Sequence, residues 1–175
     1  MTSFVTVPAS LLRVLAAGLF AAVLAAPAVA QSVPAPSGLP AYSTTYDAAR
    51  DPQADFAAAL GAAAAKQRRV LVMVGGDWCV WCFLLDRHMR LDPAAAQAMY
   101  GGFELLRVYY NDENRNQAFL AKFPDFTMFP HFFVVETDGH VLASVPADVL
   151  ISDAKFDTAL MRGFAAKWHI GPVAR

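Results

Sequence analysis

Both cysteines of the chain lie in one stretch, Gly75-Gly76-Asp77-Trp78-Cys79-Val80-Trp81-Cys82, spaced Cys-x-x-Cys. The stretch directly follows the apolar run Val70-Leu71-Val72-Met73-Val74. That run is short and rich in β-branched residues, so it reads as a strand, and the two glycines end it. Phe83, Leu84, Leu85, Asp86, Arg87, His88 and Met89 then read as a helix. Strand, turn and a Cys-x-x-Cys at a helix start form a chemical arrangement. Backbone N–H groups at a helix start are unsatisfied and the dipole there favours negative charge. A thiolate held at that point has a lowered pKa and is a usable nucleophile near neutral pH. The second cysteine, one turn on, can reach the first and close a small disulfide. A bridge over a three-residue offset braces almost no chain, so the pair is spaced for redox chemistry and not for stapling.

Trp78-Cys79-x-x-Cys82 after a buried strand resembles the active site of the thioredoxin-like family. A second match lies about fifty residues on, at Phe129-Pro130 followed by His131-Phe132-Phe133-Val134-Val135, with an Asp138-Gly139 turn leading into Val141-Leu142. In that family a cis-proline before a strand faces the active-site disulfide. The resemblance covers residues 45–170 and is strongest to secreted bacterial thioredoxin-domain proteins with an Asp-Trp-Cys-x-Trp-Cys motif. It implies an α/β fold, a thioredoxin-like three-layer sandwich with a central mixed sheet. It also implies thiol-disulfide exchange with protein substrates and no bound cofactor. Cys79 is then the nucleophile and Cys82 the resolving thiol, with Trp78, Trp81, Phe129 and Pro130 as substrate-binding residues. Cys79, at the helix start, is expected to keep its sulfur exposed.

Five positions, in three places, depart from the family pattern. A buried aspartate lies in thioredoxin six residues before the first cysteine and assists proton transfer at the second; here that position is Met73. The dipeptide between the cysteines is Val80-Trp81, without the proline of thioredoxin or the histidine of strongly oxidising relatives. A histidine there helps hold the thiolate, which favours the reduced form, so its absence points to a reductant or mild exchanger. Phe129 and His131 flank Pro130 where small residues are common. Phe126, Phe129 and Trp81 are expected to form a hydrophobic docking patch.

Residues 1–30 read as a secretory signal peptide. Residues 14–26 are apolar after the single basic Arg13, and Pro27-Ala28-Val29-Ala30 before Gln31 is a small-x-small cleavage pattern. Cleavage after Ala30 leaves no stable membrane anchor and places the protein outside the cytoplasm, in a periplasm. Such a compartment keeps no soluble thiol buffer, so a reductant there needs a membrane-embedded thiol transporter as electron donor. The chain has 14 Lys and Arg against 15 acidic residues; losing Arg13 with the leader leaves 13 against 15. That balance gives no sign of a nucleic-acid partner. Residues 31–44, rich in Pro, Ser and small residues, read as a flexible tether, and residues 45–175 as the domain.

Within the domain, Asp51-Pro52 opens a helix with Asp51 as its cap and Phe56, Leu60 and Ala63 as its buried stripe. Asp92-Pro93 restarts a short helix that Gly101-Gly102 break, and 103–110 reads as a strand. A helix is expected over 114–123, with Phe119, Leu120 and Phe123 facing in, stopped by Pro124. Strands follow at 131–136 and 140–145. The last helix is expected over 154–168, with Phe156, Leu160, Phe164 and Trp168 on one face.

Two other functions compete. Cys79, Cys82, His88 and Met89 suit soft copper(I), as in a copper carrier, although His88 lies nearly two helical turns beyond Cys82. A redox-inactive binding module on the same fold is the other, favoured by Met73 and opposed by the intact cysteine pair. Haem attachment is excluded because Phe83, not histidine, follows Cys82. Two thiolates with no Cys or His pair elsewhere do not make a structural zinc site. His140 and His169 read as a turn and a surface residue.

Overall fold

The apolar run of 70–74 becomes β1 (Arg69–Gly75), an inner strand of a four-stranded sheet. The structure, a computed structural model, describes residues 37–170. The leader expected at 1–30 and the first part of the expected tether therefore lie outside the described residues. β1 runs parallel to β2 (Phe103–Tyr109) and antiparallel to β3 (His131–Val135), which pairs antiparallel with β4 (Val141–Pro146). The mixed sheet follows from its connections. The long crossover through helices between β1 and β2 allows parallel pairing, and the Asp138-Gly139 turn makes β3 and β4 a hairpin.

Side chains on a strand alternate between faces, and β1 uses both. Leu71 and Met73 pack with Leu85, Met89, Phe103, Phe132, Met161 and Phe164 on one face. Val70, Val72 and Val74 pack with Ala59, Ala63, Phe119 and Phe133 on the other. The first face carries α3 (Val80–Leu91), α4 (Pro93–Ala96) and α6 (Thr158–Trp168). The second carries α1 (Ala41–Thr44), α2 (Pro52–Ala65) and α5 (Gln117–Leu120). Helices on both faces of a mixed sheet give the three-layer α/β sandwich expected from the motifs.

Asp51 caps α2 through the Gln53 N–H, with Pro52 in the first turn. The buried stripe of α2 is Asp55, Ala59 and Ala63, with Phe56 and Leu60 beside it and only partly buried. Asp55 is tolerated there because Arg50 pairs with it at 2.5 Å. The chain packs onto the sheet from α1 on, earlier than composition suggests: Tyr42 donates to Glu104 at 2.7 Å and Ser43 to the Leu105 carbonyl.

Two helices are shorter than expected. The helix read over 114–123 is confined to Gln117–Leu120. Asn111 Oδ1 accepts the Glu113 and Asn114 N–H groups, and Asn116 takes a left-handed φ of 45°. These local side-chain bonds compete with the helix. Phe119, Leu120 and Phe123 are nevertheless buried as expected. The final helix begins at Thr158, not 154. Residues 151–156 form a small hairpin, β5 (Ile151–Ser152) with β6 (Lys155–Phe156), turned through Asp153 and Ala154 at φ of 50° and 57°. Asp157 then caps α6 through the Leu160 N–H. Its buried face is Met161, Phe164 and Ala165, so Leu160, expected inside, stands exposed.

Candidate redox site

Gly75 ends β1, Gly76, Asp77 and Trp78 turn the chain, and Cys79 caps α3. Cys79 and Cys82 form a disulfide, with Cα atoms 5.2 Å apart. The capping atom is the sulfur: Cys79 Sγ accepts the Cys82 N–H at 3.1 Å. A helix N-terminus therefore points a donor at this sulfur, and a thiolate would bind that donor more strongly than the neutral atom does. Cys79 is buried, 5 % exposed, and Cys82 is 2 % exposed. The exposed Cys79 expected from the sequence is thus a largely buried residue.

Close approach explains both glycines. A Cβ on Gly75 would stand 2.5 Å from Cys82 Sγ and 3.0 Å from Tyr46 Cζ. One on Gly76 would run into the Trp78 indole and sit 3.0 Å from the Tyr110 carbonyl. Without those methyls Trp78 folds back over the turn, and its Nε1 donates to the Tyr110 carbonyl at 2.6 Å.

The four side chains expected to meet substrate divide into two groups. Trp78, 48 % exposed, meets the Phe129 ring edge-on at 5.2 Å. Phe129 also contacts Tyr110 and Phe126, and the Phe129–Pro130 peptide is cis, as the resemblance implies. His131 stands opposite Val74 in the antiparallel register, which brings Pro130 to the cysteine end of β1. Trp81 packs edge-on against Phe156 of β6 instead, at 5.9 Å. The expected patch of Phe126, Phe129 and Trp81 is therefore divided: Trp78 joins the phenylalanines, and Trp81 belongs to the hairpin side. Val80 and Phe83 are exposed beside the disulfide, so the site is rimmed with apolar surface.

Met73 is fully buried at the position of the family's acid. Its register partner on β2 is Arg107, a buried cation that sequence reasoning passed over. Arg107 pairs with Asp86 of α3 at 2.6 Å, donates to the Ser43 carbonyl at 2.8 Å and to Tyr100 Oη at 3.2 Å, and lies over the Tyr46 ring at 5.2 Å. Burial alone would lower its pKa, but the Asp86 carboxylate and the phenol oxygens of Tyr46 and Tyr100 more than offset this. The guanidinium stays charged. Two signals for this cluster stand in the sequence: an arginine inside the apolar strand 103–109, and an acid four residues after Cys82, on the same helix face.

His88 bonds Thr158 Oγ1 at 2.9 Å, and Thr158 donates to Asp92. His88 thus ties α3 to α6 and is engaged away from the sulfurs. Among the described residues no group of three or more His, Cys, Asp or Glu side chains is arranged to hold a metal ion. His140 is exposed in the β3–β4 turn, as expected.

A thioredoxin-like family model matches residues 51–137. The chain carries a thioredoxin-like domain. Its structure is similar to that of a disulphide isomerase from Xylella fastidiosa Temecula1, with a TM-score of 0.60 and 24 % sequence identity, over 75 % of this chain and 97 % of that one. The C-terminal domain of DsbD from Neisseria meningitidis in the oxidised form gives 0.48 and 22 %, over 68 % of this chain and 97 % of that one. No curated protein matches the sequence. The thioredoxin-like domain thus has the family's strand–Cys-x-x-Cys–helix unit, its disulfide and its cis-proline, on its mixed sheet. Among the described residues no helix is long and apolar enough to cross a membrane.

Proposed function

We propose that this protein is a thiol-disulfide oxidoreductase that acts on protein substrates outside the cytoplasm, as a reductant or mild exchanger. The observation that carries the reading is the Cys79–Cys82 disulfide at the start of α3, with Cys79 Sγ already accepting a helix N-terminal N–H. Cys79 is the nucleophile. Its thiolate attacks a substrate disulfide, the substrate S–S bond breaks, and the displaced substrate sulfur leaves with the electron pair and is protonated by solvent. Cys82 then attacks Cys79 in the mixed disulfide and releases the second substrate thiol. The same steps in reverse oxidise a substrate dithiol.

Trp78, Trp81, Phe129 and Pro130 are the substrate-binding residues of this proposal, supported by the exposed indoles and by Phe129 packed against Trp78. Residues 1–30 are an export signal cleaved after Ala30, residues 31 onward lead into the domain, and the electron donor is a membrane-embedded thiol transporter. Insulin reduction with dithiothreitol as donor tests the enzymatic reading. The unaltered chain turns over, Cys79→Ser abolishes turnover, and Cys82→Ser accumulates a mixed disulfide with substrate. Turnover that survives Cys79→Ser would overturn the assignment.

A further inference from the structure

Met73 leaves the resolving cysteine without the family's acid, yet polar side chains stand behind Cys82. A cavity of about 210 Å³ opens there, walled by Tyr46, Cys82 and Asp86 with the exposed Thr45, Asp77 and Phe83. A single point, where a Cβ on Gly75 would stand, lies 2.5 Å from Cys82 Sγ and 3.1 Å from Tyr46 Oη, so the sulfur and the hydroxyl approach each other closely over the glycine. The Tyr46 hydroxyl is shut away from solvent, and its O–H finds no acceptor among the described residues, since the Arg107 guanidinium beside it can only donate. A buried O–H with no acceptor is costly, and an acceptor supplied in another state of the site would satisfy it.

We infer that Tyr46 is a positioning residue for Cys82: in the reduced and mixed-disulfide states its phenol O–H donates a hydrogen bond to the Cys82 thiolate. This deepens the oxidoreductase reading and rests on it. When the Cys79–Cys82 bond opens, Cys82 Sγ is freed to rotate toward the hydroxyl over Gly75, which carries no side chain. The Cys82 thiol loses its proton to solvent, and the phenol keeps its own and stabilises the sulfur anion. That anion attacks Cys79 Sγ, the Cys79–substrate S–S bond breaks, and the electron pair departs on the substrate sulfur, which solvent protonates. The hydroxyl suits this task because burial holds the Tyr46 pKa well above the ordinary tyrosine value, against the opposing pull of Arg107. Asp86 is a poorer candidate, since Arg107 holds its Oδ1 at 2.6 Å.

The charged and titratable groups around Cys82 are Asp86 and Asp77, which oppose a thiolate, Arg107, which favours one, and Tyr100, which bonds Arg107. Tyr46→Phe changes none of them and removes one oxygen. The test uses the full chain with Cys79→Ser, so that Cys82 is the only thiol, and follows thiolate absorbance at 240 nm against pH. Tyr46→Phe is expected to raise the Cys82 midpoint by about one unit, tenfold less thiolate at any pH below it. An unchanged midpoint overturns the inference. Should that variant not fold, the ¹³Cζ resonance of Tyr46 in the Cys79→Ser chain decides: it must move with the Cys82 titration, and a flat resonance overturns the role. Insulin reduction by the unaltered chain judges the parent reading separately. Turnover without a midpoint shift rejects only the tyrosine's role, and a shift without turnover rejects only the oxidoreductase reading.

Discussion

His131 shows how a single ring couples this fold to pH. It is buried beside Phe126 and Phe133, its Nε2 shares a hydrogen with Ser144 Oγ at 2.8 Å, and its Nδ1 has no partner among the described residues. Protonation would add a charge and an unmated N–H to an apolar site, so burial holds its pKa below the usual histidine range, with Asp148 pulling partly the other way. A folded-state pKa below the unfolded one means that unfolded chains bind the proton first. Stability is therefore lost as pH falls through the unfolded value of about 6.5 toward the folded one. The urea midpoint of the unaltered protein should drop between pH 7.5 and 5.5, and His131→Gln, which keeps a partner for Ser144, should flatten that drop. An equal drop in the variant would show that His131 does not set it. This behaviour was not legible beforehand, because the sequence places His131 after a proline but does not show which of its nitrogens finds a partner.

Elements were legible where the signal was local and strong. The run of five apolar residues, short, rich in β-branched side chains and ended by Gly75-Gly76, read as a strand, and Asp51-Pro52 and Asp92-Pro93 marked their helix starts through cap and proline chemistry. The β5–β6 hairpin was missed because its turn uses Asp153 and Ala154 at positive φ with no glycine, while Phe156, Leu160 and Phe164 keep a helical spacing. The link between β2 and α3 was missed for a different reason: an ion pair across two elements has no sequence period. Arg107→Met removes the cation and strands the Asp86 carboxylate, whose side chain is 21 % exposed. Breaking such a pair from one side costs roughly 3 kcal/mol, whereas replacing both partners with apolar groups is often near neutral. Urea unfolding should therefore show Arg107→Met strongly destabilised and Arg107→Met with Asp86→Leu largely recovered. A double variant no more stable than the single one would mean that the pair is not what joins β2 to α3.

The molecule as a whole gathers a buried disulfide, a rim of exposed apolar side chains and a polar cluster behind the second sulfur at one end of its sheet. The cysteine motif and the proline segment made the first two legible, since each is a short run with a fixed chemical purpose. The third depends on residues from the lead-in, α3 and β2 meeting in space: helix spacing puts Asp86 on the face of Cys82, but only the fold adds Tyr46 and Arg107. All three features matter only if the Cys79–Cys82 bond opens and closes reversibly. The deciding measurement is the reduction potential of this pair in the full chain, equilibrated against glutathione and dithiothreitol. A reversible two-electron couple at or below about −180 mV, between protein disulfide isomerase and thioredoxin at about −270 mV, is the expected result. A couple near the roughly −120 mV of DsbA would contradict the reductant or mild-exchanger role, and no reversible couple at all would contradict the oxidoreductase itself.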